Sequence, residues 1–465
     1  MKKIFTIVIL IINYQISSSQ EITGTWNGIL KVQGMQLRLV FKVTKSENGY
    51  SSTIDSPDQG AKNIPVTNTT FENSKIKFEV TNAKIEYNGE LSDTKIIGTF
   101  KQGSQEFPMN LSKNPLEKEI LKRPQEPTKP YSYYSEDVTF QNTKANISLS
   151  GTLTLPKKNG FFPSVILITG SGPQNRNEEL LGHKPFLVIS DYLTKKGIAV
   201  LRYDDRGIGD SKGNFKTATT VDFATDVESA INYLQTRKEI NKNKIGLVGH
   251  SEGGLIASIV ASKSKDISFI VLLAGTGIQG DKLLLLQQKL ISRAKGISET
   301  DIKKSNQTNV KLFEIVIQSN DNQKFKTDLT NHIKETLKSD TSIEIPNGLT
   351  KEEFISIQVN QISNPWIQYF IKFNPATVLE KVKCPVLAVN GEKDLQVPSK
   401  ENLTAIKNAL KIGGNENVTI KEFPRLNHLF QECKTGLPNE YAKIEQTFSP
   451  IVLTEISNWI LNQIK

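Results

Sequence analysis

Apolar and polar positions change their rhythm twice along the main body of the chain. From Ile22 to about Leu111 they alternate at period two in short runs such as Thr25–Leu30, Leu37–Phe41 and Ile76–Val80. Turn-forming stretches at Asn82-Ala83 and Tyr87-Asn88-Gly89 separate these runs. About seven strands at this spacing predict a small antiparallel barrel, closed or half-closed. Between Lys113 and Ser135 the residues Pro115, Pro124, Pro127 and Pro130 fix φ and remove donors. That stretch reads as a semi-extended linker with one helical turn at Leu116–Leu121. From Glu136 onward, apolar strands alternate with amphipathic helices, the texture of an α/β domain. Val165–Ile168, Ala199–Leu201, Ile245–Val248 and Val386–Val389 are runs suited to burial on both faces, as parallel strands require.

The first residues follow another pattern. Lys2 and Lys3 precede the largely apolar run Ile4–Ile12, and Ser17 and Ser19 then stand at −3 and −1 of a cut before Gln20. This is the layout of a secretory signal peptide, and the run is too short to span a bilayer. The expected organisation is therefore a signal peptide at 1–19, a β-domain at 20–112, a linker at 113–135 and an α/β domain at 136–465. An exported protein, periplasmic or extracellular, is expected, with no membrane span.

Composition narrows the chemistry. The 465 residues include 30 Gly and 19 Pro, too few to suggest disorder, and only two Cys, too few for a disulfide scaffold or a cysteine-rich metal site. The net charge of +10 comes from 58 Lys and Arg against 48 Asp and Glu. The basic residues are scattered, so no nucleic-acid stripe is visible and no nucleic-acid partner is expected.

The candidate chemistry lies on turns that follow the apolar strands. Gly249-His250-Ser251-Glu252-Gly253 is a GxSxG sequence between the strand ending at Val248 and a helix-forming run Leu255–Val260. A serine on so tight a turn needs glycine flanks and presents its Oγ above the sheet, which makes Ser251 the candidate nucleophile. The base must come from His183, His250, His332 or His428. His250 adjoins the nucleophile and diverges from it, and His332 sits in a polar helical stretch. His183, just before the first helix after Gly170, is expected to cap that helix, with pocket lining as the alternative. His428 follows the late strand Val418–Lys421 and is the expected base. The orienting acid should follow the strand Cys384–Asn390, where Asp394 and Glu392 compete and Asp394 lies nearer the loop apex. Oxyanion donors are expected from the backbone of Glu252 and of Ser171, with Gly172 close behind, in the turn Thr169–Gln174.

These segments resemble the α/β-hydrolase superfamily, and within it the secreted bacterial esterases related to prolyl-oligopeptidase-like hydrolases. The resemblance is carried by Gly170–Arg176 (GSGPQNR), Arg202–Gly213 (RYDDRGIGDSKG), Gly249–Gly254 (GHSEGG), Cys384–Pro398 and Leu426–Gly436. It implies an α/β-hydrolase fold and a Ser–Asp–His triad, and leaves the substrate open. The usual His before the oxyanion glycine is Thr169 here, a change that spares backbone donors. The N-terminal segment resembles the lipocalin-like β-domain that precedes such hydrolases in some secreted bacterial chains, with Ser56–Gly60 as its clearest block.

Ser251 and Asp394 stand 143 residues apart, far more than one or two βα units of about 30 residues need. The surplus, at about 276–374, has apolar residues at three and four spacing in Leu283–Ser292, Val310–Ser319, Glu352–Ile362 and Trp366–Phe370, which predicts a helical cap. Trp366, Tyr369 and Phe370 are expected in the core of that cap. The reading is an exported serine hydrolase that cleaves small carboxylic esters through an acyl-enzyme, without metal or cofactor. A peptidase of the same fold is the first alternative, with Glu252 or Glu352 as an acidic anchor; a non-catalytic binding protein is the second. Cys384 and Cys433 are placed at opposite edges of the sheet and are expected to stay free.

Overall fold

The computed structural model describes residues 21–465 except 33–34, 48, 60, 104, 118–121, 320, 341–342, 344 and 346–348. The expected signal peptide, Gly60 and most of the helical turn expected at 116–121 lie outside the described residues. The chain divides into two compact units near residues 119 and 120.

The first unit is one curled antiparallel sheet of ten strands, not seven. Its central strands are Met35–Ser46, Gly24–Val32, Leu111–Ser112, Lys95–Gln102 and Ile85–Ser92, hydrogen-bonded in that order. The additional strands are short or polar. Ala61–Pro65, for instance, offers the single large apolar residue Ile64, so no period-two signal announces it. The inward positions carry Trp26, Phe41, Phe78 and Tyr87, all buried, with Phe41 stacked on Phe78 at 4.7 Å. The sheet is half-closed. Near its two edges Val66 N–H donates to Ser52 O (3.0 Å) and Thr67 N–H to Glu79 O (2.6 Å).

The second unit is built on an eight-stranded sheet. Across it run Tyr134–Asn142, Ile147–Leu155, Ala199–Tyr203, Phe162–Ile168, Ile240–His250, Phe269–Leu273, Val386–Gly391 and Val418–Phe423. Numbered along the chain, the order is 1-2-4-3-5-6-7-8. The second strand pairs antiparallel with both neighbours, and the rest are parallel. The parallel strands are buried on both faces. One face packs on helices Thr220–Thr236, Glu252–Ala261 and Ser399–Ile412, the other on Pro185–Lys195 and Pro450–Gln463. This is the α/β-hydrolase fold.

Helices Gly280–Ala294, Glu299–Gln318, Asn322–Ser339, Lys351–Ile362 and Pro365–Lys372 form the cap, with a core of its own around Val316, Phe325, Leu329 and Ile371. Four of these helix starts are fixed by side chains, that of Pro365–Lys372 by Asn364, which accepts from Trp366 N–H. Ser298, Asp321 and Thr350 accept from the N–H of Asp301, Lys324 and Glu353 respectively.

The second half of the predicted linker is not free. Arg123 donates to Ile444 O (2.8 Å) and Ala442 O (3.0 Å), and Gln125 binds Thr447 N–H and Phe448 O. The prolines alone suggested a spacer; the polar side chains between them dock it on the second unit.

Candidate active site

The GxSxG turn is forced by sterics. A Cβ at Gly249 would lie 2.0 Å from Gly253 O, and one at Gly253 would lie 2.2 Å from Ile168 O. Between them Ser251 adopts φ 52° and ψ −116°, a conformation that costs a non-glycine residue energy and recurs at catalytic turns. Its N–H donates to Leu273 O at 2.8 Å, tying the turn to the neighbouring strand.

Ser251 and His428 line one cavity of about 190 Å³. His428 Nδ1 lies 2.7 Å from Asp394 Oδ2, and both residues are buried. With the Nδ1 proton held by that carboxylate, Nε2 is the nitrogen left as a base. Asp394 is itself fixed, because its Oδ1 accepts from the N–H of Gln396 (2.8 Å) and Val397 (2.9 Å). Glu392, its competitor in the sequence, is exposed and accepts from Arg425 N–H instead.

Ser171 and Glu252 line the same cavity, whereas Gly172 does not. Glu252 opens the helix Glu252–Ala261, so its N–H has no intrahelical acceptor and is available to a ligand. The Glu252 side chain points elsewhere. It is buried, and its Oε1 accepts from Thr220 Oγ1 and Trp366 Nε1, both at 2.7 Å. Burial pushes its carboxyl up to about 7, against those two hydrogen bonds. Glu352, the other acidic residue considered as an anchor, is exposed on helix Lys351–Ile362 and is not among the residues lining the cavity.

The turn Thr169–Gln174 is braced by carboxylates that sequence reasoning did not single out. Asp205 Oδ1 accepts from Thr169 Oγ1 (2.7 Å) and its Oδ2 from Gln174 N–H (2.9 Å); burial raises this carboxyl to about 8. Asp204 accepts from Arg176 N–H at 2.7 Å and from its guanidinium at 2.6 Å. Glu178 accepts from Gly170 N–H at 2.7 Å. The signal for the first two lay in the paired segments Gly170–Arg176 and Arg202–Gly213, which bind each other; Glu178 lay outside both.

The remaining histidines are placed as follows. His250 is buried, with Nδ1 2.9 Å from Glu178 Oε1 and Nε2 2.9 Å from His428 O. Burial opposes its charge, but Glu178 and the His428 carbonyl outweigh burial and raise its pKa above the ordinary value. His332 lies on helix Asn322–Ser339, 3.2 Å from Thr308 O and away from the cavity. His183 does not cap the following helix. It is fully buried, bound to Thr447 and Tyr441 O more than 250 residues later, and burial lowers its pKa to about 4. Trp366 and Phe370 also depart from expectation, since they stack at 5.2 Å and line the cavity, while Tyr369 stacks on Phe373. An aromatic stripe looks the same in sequence whether its face meets cap or cavity. Cys384 and Cys433 are both free. Among the described residues no cluster of acidic, His or Cys side chains is arranged to hold a metal, and no helix is long and apolar enough to cross a membrane.

Strand order, the tight serine turn and the cap define the second unit as an α/β hydrolase. Residues 227–434 match the family BAAT / Acyl-CoA thioester hydrolase C terminal. Esterase EstD of Thermotoga maritima is 27% identical over 341 residues, 71% of this chain and 68% of that protein. Human acyl-coenzyme A thioesterase 1 is 31% identical over 128 residues, 27% of each chain. The Pyrococcus furiosus esterase Pf2001 overlaps 72% of this chain and 91% of its own at 17% identity and a TM-score of 0.42; the fold assignment rests on strand order instead. By sequence, then, the proteins this α/β-hydrolase fold resembles include an esterase and an acyl-coenzyme A thioesterase.

Proposed function

We propose that the protein is an exported serine hydrolase that cleaves short-chain carboxylic esters through an acyl-enzyme. The observation that carries this reading is the 2.7 Å contact of His428 Nδ1 with Asp394, made by a histidine that shares its cavity with Ser251. In this mechanism His428 Nε2 takes the Ser251 hydroxyl proton as Oγ attacks the ester carbonyl. The backbone N–H groups of Ser171 and Glu252 receive the developing oxyanion. His428 then donates its proton to the leaving alkoxide, and water repeats the sequence to release the acid. Asp394 holds the tautomer and stabilises the imidazolium without taking the proton.

The cavity size supports a small acyl group. About 190 Å³ is below the range of roughly 300–1,000 Å³ typical of sites for drug-sized ligands, and the cap supplies Leu283, Leu284 and Phe370 to its wall. A thioester is the second reading, favoured by the family match over residues 227–434. A peptidase finds less support, because the Glu252 carboxyl is occupied by Thr220 and Trp366. Export rests on the pattern of residues 1–19. Purified protein assayed on p-nitrophenyl esters of rising acyl length, on the matching acyl-coenzyme A thioesters and on aminoacyl amides tests the assignment. Fastest turnover of short oxygen esters is expected; turnover of amides alone would overturn it.

A further inference from the structure

We propose that Glu178 and His250 are a positioning pair that locks the oxyanion turn and the base loop to each other. The proposal rests on the serine-hydrolase reading of the site and adds two residues that this reading does not use.

A single oxygen, Glu178 Oε1, lies 2.7 Å from Gly170 N and 2.9 Å from His250 Nδ1. On the far side of the imidazole, Nε2 lies 2.9 Å from His428 O. A carbonyl only accepts, so Nε2 carries a proton. The Gly170 amide only donates, so Glu178 Oε1 is an acceptor placed between that amide and Nδ1. The two side chains form a buried hydrogen-bonded pair, with Glu178 3% and His250 6% exposed. Charged or titratable groups facing His250 are Glu178, the His428 ring at 4.8 Å and, beyond that ring, Asp394. Phe430 closes the site with its ring 6.5 Å away.

The Asp394–His428 bond sets the imidazole's tautomer, but it does not fix the His428 backbone relative to the amide of Ser171. The Glu178–His250 bridge does. It joins Gly170, the residue before Ser171, to the carbonyl of the base itself, through segments 72 and 178 residues apart in sequence. Glu178 reaches inward from φ 51°, an unusual conformation for a residue with a side chain. Buried polar pairs can contribute little net stability, while fixing geometry is a role they can serve. Reacting groups misplaced by about 1 Å lose up to about 100-fold in rate.

The test compares wild type, Glu178→Gln, His250→Gln, His250→Leu and the double variant Glu178→Gln/His250→Gln. For each, kcat and KM for p-nitrophenyl acetate are measured per active site, counted by exhaustive fluorophosphonate labelling. We expect kcat to fall about 10- to 100-fold in Glu178→Gln with KM nearly unchanged. The double variant should match the single within about twofold, because the pair acts as one unit. His250→Gln, which keeps a donor for His428 O, should retain more kcat than His250→Leu. A Glu178→Gln protein with reduced Tm but wild-type kcat per labelled site would overturn the proposal, as would single effects that multiply in the double. If Glu178→Gln does not fold, equal kcat in His250→Gln and His250→Leu overturns it. Failure of the underlying reading shows separately, as a wild-type protein that neither hydrolyses the ester nor takes the probe.

Discussion

The indole N–H of Trp366 donates to Glu252 Oε1 at 2.7 Å, so the cap is latched to the residue that follows Ser251. Thr220 supplies the second donor to the same oxygen. Removing one of two donors to a buried carboxyl costs about 1–3 kcal/mol. Trp366→Phe should therefore lower stability by that amount, measured by urea denaturation, while the fold is retained. A Trp366→Phe protein as stable as wild type would show that the latch carries no energy.

The same carboxyl makes a pH prediction. Burial raises it to about 7 from an ordinary value of 4.5, so Glu252 favours the folded state below about pH 4.5 and that contribution fades as pH rises to about 7. Glu252→Gln keeps an acceptor for Thr220 and Trp366 and has no proton to lose. Between pH 5 and pH 8 its stability should improve relative to wild type by roughly 2 kcal/mol. Parallel stability curves for the two proteins over that range would contradict the assignment of a neutral buried acid.

Acyl preference should follow the cap wall. Phe370→Ala removes a ring from the cavity lining and should shift the best p-nitrophenyl ester toward longer chains, leaving fluorophosphonate labelling of Ser251 within about an order of magnitude. An unchanged chain-length profile would place the acyl group elsewhere.

Much of this arrangement was legible in sequence because the fold leaves local marks. The glycines around Ser251 are required by contacts of 2.0 and 2.2 Å, and such steric demands survive as a motif. The doubly buried strands read as apolar runs for the same reason. His428 was distinguishable by its place after the last strand, and Asp394 by its place after the preceding one. Glu178 was not legible, because a carboxylate that acts across 72 residues has no neighbouring pattern to mark it. Nor were the extra strands of the first unit, where exposed Lys62 and Asn63 erase the alternation, or the inward face of Trp366. His183 misled for a related reason: its partners, Tyr441 and Thr447, lie on the opposite end of the domain sequence.

The cysteines give an independent check on strand placement. Cys384 enters the strand Val386–Gly391, burial pushes its thiol up to about 12, and Cys433 donates to Arg425 O in the loop beyond His428. Thiol titration under denaturing, non-reducing conditions should count two per chain. A count of zero in a monomer would move one of these two segments.

The histidines separate the proposed base from the bystander. His428→Ala should reduce kcat for p-nitrophenyl acetate by several orders of magnitude, while His332→Ala, on the outer cap, should be nearly silent. A larger loss from His332→Ala would reassign the base.

In the proposed mechanism the acyl-enzyme forms on Ser251. Intact-mass spectrometry after reaction with a fluorophosphonate, on wild type and Ser251→Ala side by side, tests it most directly. One adduct per wild-type chain is expected, mapped to the peptide containing Ser251, with none on a folded Ser251→Ala protein and ester hydrolysis lost together with the adduct. Labelling or near-wild-type ester hydrolysis in Ser251→Ala would contradict it.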